Sequence, residues 1–279
     1  AEKMFGWSRA EVLGEPNPMI PEDRQAEFDE HRQRAMSGER IRGKEIRRET
    51  KDGDELDLLL SVAPISDPDG EVTSILAVLE DITEQKELET KLRSLQETAQ
   101  RLSRAQSSDE IGEIAVEAAV EILGFELTGI WEADERADEL VPLASSEAVG
   151  DLLGELPQLQ PEENLAWEAF ESSELRTYDD LQAEPGIDEA DALPASGLFV
   201  PLGEYGLVGV GTSNDRGFSE TDVDLFRILG ATVEAAFGRA NREAKLQRQN
   251  ERLDQFASVV AHDLRNPLSV AIGFTDIVQ

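Results

Sequence analysis

The chain has 279 residues, enough for two ordinary domains and connecting helices. It contains no cysteine, which excludes disulfides, thiolate metal sites, thiol catalysis and thioether attachment of a chromophore. Its 60 acidic residues outnumber 26 basic ones, and the formal net charge of −34 should repel nucleic acid, which we exclude as a partner.

The acidic excess is spread along the whole sequence, and only six of the 26 cations are lysines. This composition resembles that of proteins from salt-loving archaea, because molar salt shortens the Debye length to about 3 Å and screens self-repulsion. An ordinary acidic protein is the alternative. No run of about 18 apolar residues and no secretory leader occurs, so we expect a cytoplasmic protein without a membrane segment here. The sequence begins and stops inside helical patterns, and we expect a fragment of a longer chain.

Residues 1–83 predict short helices, one longer helix and an antiparallel meander. The longer helix opens after Pro21 and runs to about Met36. Three strand runs follow, at 41–50, 55–66 and 71–82. The sequences KDGD and DPDG between them carry the Asp-Gly pairs of tight hairpins. Three strands with one buried face make a thin domain, so we expect further strands upstream of Ala1.

The stretches MFGWSRAEVLGEP, IPEDR and LEDITEQKELE, with the two hairpins between them, resemble the C-terminal two-thirds of a PAS sensor domain. That resemblance implies a domain that binds haem, flavin, a small metabolite or nothing. The flavin photosensor version needs a reactive cysteine, and the haem version needs a histidine where this sequence has Phe28. We expect His31, one turn further on among charged residues, to be a solvated surface histidine. The ligand stays unassigned.

Residues 84–107 carry a heptad pattern. Its apolar positions are Leu88, Leu92, Leu95, Ala99 and Leu102. The 4, 3, 4, 3 spacing predicts a two-stranded parallel coiled coil and therefore a homodimer. An amphipathic helix packed against its own domain is the alternative.

Residues 108–238 predict a second globular unit. The expected elements are a helix from Ser108 to about Gly124, strands at 126–133 and 139–145, a helix at 163–172, strands at 197–203 and 207–213, and a final helix from about Ser219. This order of helices and hairpins resembles a GAF sensor domain, although no residue in it is chemically diagnostic.

The resemblance to GAF domains implies a ligand pocket on one face of a sheet. Trp131 and Trp167 are expected in the core or the pocket wall. The glycines of GVGTS indicate close backbone packing or a bulge more than a phosphate cradle, because no helix N-terminus follows them at once. The missing cysteine excludes bilin attachment, and we assign no ligand.

A second heptad pattern follows the final helix of this unit. Its positions are Leu246, Asn250, Leu253, Ala257, Val260 and Leu264. A polar Asn250 at an a position fixes register and favours two parallel strands. The same register places His262 at f, pointing away from the partner helix.

An exposed imidazole is partly neutral near pH 7 and can act as a nucleophile. Arg265 and Asn266 share the helix face of His262, where they could meet a phosphoryl group. Asp263 lies about 100° round the helix and reaches the ring only sideways. Pro267 removes a hydrogen bond to the carbonyl of Asp263, so we expect a bend just after the histidine.

The string HDLRNPL at 262–268 closely resembles the phosphoacceptor box of sensor histidine kinases. The resemblance implies that His262 accepts the γ-phosphoryl of ATP and that Asp263 helps to deprotonate or orient it. Asn266 matches a position implicated in dephosphorylating the partner regulator, and Pro267 matches the family's kink. ATP would be bound by a separate domain that does not occur before Gln279, so these residues alone should be inactive.

The sequence therefore predicts an α+β fold of antiparallel sheets flanked by helices. The expected order is a partial PAS domain (1–83), a coiled coil (84–107), a GAF domain (108–238), a second coiled coil (239–257) and the start of a phosphoacceptor domain (258–279). The implied function is the sensory part of a two-component kinase whose partner is a response regulator. Two alternatives stay open: a PAS–GAF transcriptional activator ending in a helix-turn-helix, and a ligand-binding dimer without catalysis.

Overall fold

A computed structural model describes residues 1–14, 17–134, 138–161, 165–183, 194–212 and 217–277, with side chains described to residue 255 except that of Gln182. It contains antiparallel sheets flanked by helices and a long C-terminal helix, which confirms the α+β class. The chain divides into two compact units, Ala1–Leu92 and Arg93–Gln279, which we treat separately.

The first unit is a set of helices followed by a three-stranded sheet. Its elements are α1 (Glu2–Phe5), α2 (Arg9–Val12), a 3-10 turn (Glu22–Arg24), α3 (Gln25–Met36), β1 (Ile41–Glu49), β2 (Glu55–Ser66), β3 (Val72–Asp81) and the first part of α4 (Thr83–Leu102). The strands pair in the antiparallel order β1-β2-β3. Gly53 and Gly70 adopt φ values of 93° and 90° in the two hairpins, as the Asp-Gly pairs predict.

One face of this sheet packs against α3 and the N-terminal helices. Its core contains Phe5, Ala35, Ile41, Ile46, Leu58, Leu60 and Val62. The expectation of a solvated His31 is wrong, because His31 is only 6% exposed. It lies one helical turn before the buried Ala35, so it shares the face of α3 that is turned inward.

The second unit has a five-stranded sheet with helices on both faces. Its elements are α5 (Ser108–Glu121), β4 (Leu127–Asp134), β5 (Glu139–Ser145), α6 (Glu147–Leu153), α7 (Leu165–Ser172), β6 (Arg176–Tyr178), a 3-10 turn (Leu181–Ala183), β7 (Ser196–Pro201), β8 (Gly206–Thr212) and α8 (Glu220–Ile277). The strands pair antiparallel in the order β5-β4-β8-β7-β6. The sequence did not predict α6 or β6.

The larger core of the second unit lies between the sheet and the helices α5 and α8. Leu95 and Leu102 of α4 belong to this core and are 5% and 0% exposed. Leu88 and Leu92, in the same predicted heptad pattern, are 36% and 37% exposed. The C-terminal half of the pattern is therefore packed within its own unit, so the prediction of a coiled coil throughout 84–107 is wrong there.

A capping box starts α8. The Ser219 hydroxyl accepts from the Asp222 N–H at 3.1 Å, and the Asp222 carboxylate accepts from the Ser219 N–H at 3.0 Å. From this start the helix passes along the core and continues to Ile277. Among the described residues, no helix combines the length and apolarity that a membrane crossing requires.

Candidate functional site

The predicted phosphoacceptor positions lie on the distal part of α8. His262, Asp263, Asn266 and Pro267 fall within its range, but their side chains are outside the described residues. Their roles therefore stay predictions, as does a bend at Pro267. Phe237 is buried in the core of the second unit. At a rise of about 1.5 Å per residue, His262 lies about 38 Å further along the same helix.

The helix between these points presents an apolar stripe to solvent. Leu246 and Leu253 are 60% and 64% exposed, and Asn250 between them is also exposed. Leucines that recur at heptad spacing on a helix surface are typical of a coiled-coil seam. This part of α8 runs from the core of the second unit to the predicted phosphoacceptor positions.

The second candidate site is the face of the five-stranded sheet that is turned away from α5 and α8. Four glycines lie on it, and we call it the glycine-floored face. Gly129 of β4 pairs with Gly209 of β8, and Gly211 of β8 pairs with Gly197 of β7. These four positions share one face because paired residues and residues two apart point the same way. A sheet face without side chains leaves room for groups that approach the backbone closely.

Bulky side chains occupy that room. A Cβ added at Gly129 would lie 2.7 Å from Leu156 Cδ1, and one added at Gly211 would lie 2.4 Å from Pro194 Cγ. Close packing therefore explains the glycines of GVGTS, in agreement with the sequence reading. The arrangement gives no support to a phosphate cradle.

Two tryptophans complete the cover of this face, as expected. Trp131 and Trp167 are each 7% exposed, and they belong to a cluster with Leu140, Leu159 and Leu207. The Trp131 indole N–H donates to the carbonyl of Pro157 at 2.7 Å. The glycine-floored face is thus filled by the protein's own side chains among the residues that the structure describes.

Two polar side chains of the first unit, those of Arg48 and His31, are buried. Arg48 on β1 is 5% exposed and donates to the carbonyl of Arg47 at 2.6 Å. The Arg48 Nη1 lies 3.9 Å from the Glu27 carboxylate, and burial lowers the pKa of Arg48. His31 lies one turn after Glu27 on α3, and its Nδ1 is buried without a hydrogen-bond partner in the described part of the chain.

An open hollow lies in the described part of each unit. A hollow of about 450 Å³ in the first unit is lined by Phe5, Trp7 and Met19 among others. A groove of about 320 Å³ in the second unit lies between α5 and β5 and is lined by Glu113, Glu117, Glu121 and Glu147. The described residues contain no cluster of histidine and acidic side chains able to hold a metal ion.

Comparison with known proteins finds two sensory domains. Residues 1–82 match the PAS fold, and residues 105–237 match the GAF domain. No curated protein matches the chain.

Among solved structures, the chain resembles a GAF domain from a phosphoenolpyruvate-protein phosphotransferase of Coxiella burnetii, with 18% identity, a TM-score of 0.49, and coverage of 57% of this chain and 98% of that one. It also resembles the free methionine-R-sulfoxide reductase of Neisseria meningitidis, with 20% identity, a TM-score of 0.48, and coverage of 56% and 93%. Residues 122 to 287 of a methyl-accepting chemotaxis protein match with 20% identity, a TM-score of 0.45, and coverage of 52% and 96%.

Proposed function

We propose that this chain, which contains a PAS and a GAF domain, is the sensory part of a two-component histidine kinase. His262 accepts the γ-phosphoryl group of ATP and passes it to an aspartate of a response regulator. ATP is held by a separate domain outside these residues, and the two copies of a homodimer meet along α8. The signals of the two sensory domains stay unassigned.

The observation that carries this proposal is the sequence HDLRNPL on α8. This sequence lies on α8, and earlier residues of the same helix, Leu229 and Phe237, pack into the core of the GAF domain. A rotation or shift of that helix would therefore move the acceptor histidine together with the sensory domain. Phosphoryl transfer depends mostly on positioning and electrostatics, so such a movement is sufficient to control it.

The residues around His262 have separate roles in this proposal. Asp263 orients the imidazole or takes its proton, and Asn266 holds the phosphoryl group or a water during dephosphorylation of the regulator. Arg265 meets the negative charge of the incoming phosphoryl group. Pro267 bends the helix where the kinase domain docks.

The proposed setting is a cytoplasm of high salt. A formal charge of −34 on 279 residues destabilises a compact protein by self-repulsion unless the charges are screened. Molar potassium chloride is therefore present in every measurement on this chain except where the salt concentration is itself varied.

The test is phosphorylation of the longest natural polypeptide that contains this sequence, with ATP labelled at the γ position. We expect an acid-labile label that His262→Gln abolishes. The chain has only one other histidine, His31, so His31→Gln is the matched control and should keep the label. Label that survives His262→Gln would contradict the proposal.

The same polypeptide separates the two alternatives. A transcriptional activator would show a basic helix-turn-helix after residue 279 and no label, and it would bind DNA in a salt-dependent way. A ligand-binding dimer would show neither label nor DNA binding.

A further inference from the structure

Arg239 lies where α8 leaves the core of the second unit. Ala236 and Phe237 just before it are 4% and 3% exposed, whereas all side chains from Asn241 to residue 255 are exposed. Arg239 itself is intermediate, with 27% of its side chain exposed. It therefore stands at the boundary between the anchored and the free part of the helix.

The guanidinium of Arg239 reaches the carbonyl end of α4. Its Nη2 donates to the carbonyl of Leu102 at 3.0 Å and to that of Ala105 at 2.6 Å. Its Nη1 donates to the carboxylate of Glu243, one turn further along α8, at 3.1 Å. The last carbonyls of a helix lack intrahelical partners and carry partial negative charge, so a cation binds them well.

The turn that Arg239 holds is itself fixed in the core. Leu102 and Ala105 are both 0% exposed, and both belong to the core cluster that contains Leu229 and Phe237 of α8. Hydrogen bonds weaken steeply with distance and misalignment. When the last turn of α4 shifts or rotates, the two hydrogen bonds from Arg239 persist only if α8 moves with it.

α4 begins at Thr83, two residues after β3 of the first unit ends at Asp81. It is thus the segment that connects the PAS domain to the GAF domain in the chain. We propose that Arg239 is a latch that ties the last turn of α4 to α8, so that a movement of α4 passes directly to α8. This route bypasses the five-stranded sheet, and it does not depend on the phosphoryl chemistry proposed above.

The first test is hydrogen exchange on the full 279-residue chain carrying Arg239→Ala. Loss of charged hydrogen bonds should raise amide exchange of residues 103–105 and of α8 beyond residue 239 by about tenfold. Arg239→Lys keeps the charge and should give a smaller increase. Arg248→Ala is the matched control, because the Arg248 side chain donates only to Ala244 of its own helix among the described contacts.

Exchange in Arg239→Ala equal to that of the wild type would overturn the latch. A rise of similar size throughout β4 and β8 would also overturn it, because it would show general destabilisation of the domain. The latch requires an increase confined to residues 103–105 and to α8 beyond residue 239, with wild-type exchange in Arg248→Ala.

The second test measures whether the two helices move together. The chain lacks cysteine, so cysteines placed at the exposed Gln96 and Gln247 can carry the only two spin labels. Labelled chains are diluted with unlabelled ones so that only distances within one chain contribute. The latch predicts a narrow distance distribution that Arg239→Ala broadens and Arg248→Ala leaves unchanged. An equally narrow distribution in Arg239→Ala would show that Arg239 does not couple the helices.

Discussion

The two heptad patterns of this chain look alike in sequence and differ in structure. In α4, Leu95 and Leu102 are buried in the core of their own unit, whereas Leu88 and Leu92 are partly exposed. In α8, the described leucines of the pattern, Leu246 and Leu253, are 60% and 64% exposed. One pattern is thus partly used by its own domain, and the other is available to a second chain.

This difference shows what a heptad pattern specifies. Apolar side chains at a 3.5-residue period define an apolar stripe on a helix, but they do not define what covers it. A leucine on this stripe is buried equally well by a neighbouring sheet or by a second helix. Replacing a buried leucine of α4 by alanine should therefore lower the stability of the second unit. Replacing the exposed leucines of α8 should instead weaken association.

The largest effect is expected at the buried end of α4. Leu102→Ala should lower the free energy of unfolding of the second unit by about 2–5 kcal/mol, because it leaves a cavity in a packed core. Denaturant unfolding in molar potassium chloride measures the change. Leu88→Ala removes the same atoms from a partly exposed site on the part of α4 that belongs to the first unit, and it should change the free energy of unfolding of the second unit by less than about 0.5 kcal/mol. Equal losses in the two variants would contradict the distinction within α4.

The exposed leucines of α8 should instead determine association. The double variant Leu246→Ala and Leu253→Ala should weaken the proposed homodimer by about a hundredfold in Kd, close to 3 kcal/mol, while the second unit unfolds at the wild-type denaturant concentration. Sedimentation equilibrium measures the Kd. A variant that dimerises as tightly as the wild type would show that α8 does not form the interface.

A smaller effect is expected at Asn250, and it tests whether α8 forms a coiled coil of two helices. Asn250 lies between the two leucines at an a position, where a polar side chain lowers stability and selects two strands in register. Asn250→Leu should tighten association by about tenfold and add trimers or tetramers to the mixture. Sedimentation velocity resolves these species. Glu251→Leu, one position after, lies at the outward-facing b position and should leave the oligomeric state unchanged.

Local chemistry allowed most elements to be predicted from the sequence. Asp-Gly pairs placed the hairpins of the first unit, and Ser219 placed the start of α8, where the structure has a capping box. The three-residue strand β6 was missed because it exists through pairing with β7, and nothing in RTY itself requires a strand. Helix α6 was missed for a similar reason, since seven residues carry little periodicity.

The candidate site residues divide in the same way. His262 and its neighbours are proposed from a motif, which needs no tertiary information. The burial of His31 was missed because its charged neighbours suggested solvent, although the spacing of four to Ala35 places both on one helix face. Arg239 could not be found from the sequence, because its partners Leu102 and Ala105 are more than 130 positions away.

The smallest effect concerns the ion pair that holds the last turn of α4 to α5. Arg101 donates to the Glu117 carboxylate, at 3.1 Å for one of the two bonds, and this hydrogen bonding lowers the pKa of Glu117 below its ordinary value of 4.5. A lowered pKa in the folded state contributes stability above pH 4.5 that is lost as the pH falls through the folded value. Both side chains are more than 40% exposed, so Arg101→Gln should cost only about 0.5 kcal/mol near pH 7 and less in molar salt.

The pH and salt dependence of that loss identifies its cause. The difference in unfolding free energy between wild type and Arg101→Gln should shrink as the pH falls below 4.5, because Glu117 becomes protonated in both proteins. Arg104→Gln is the matched control, since Arg104 is exposed just beyond the end of α4 and forms no ion pair with the residues that the structure describes. A loss that persists unchanged at low pH and in molar salt would assign the contribution of Arg101 to packing of its aliphatic stem against α5 and not to its ion pair with Glu117.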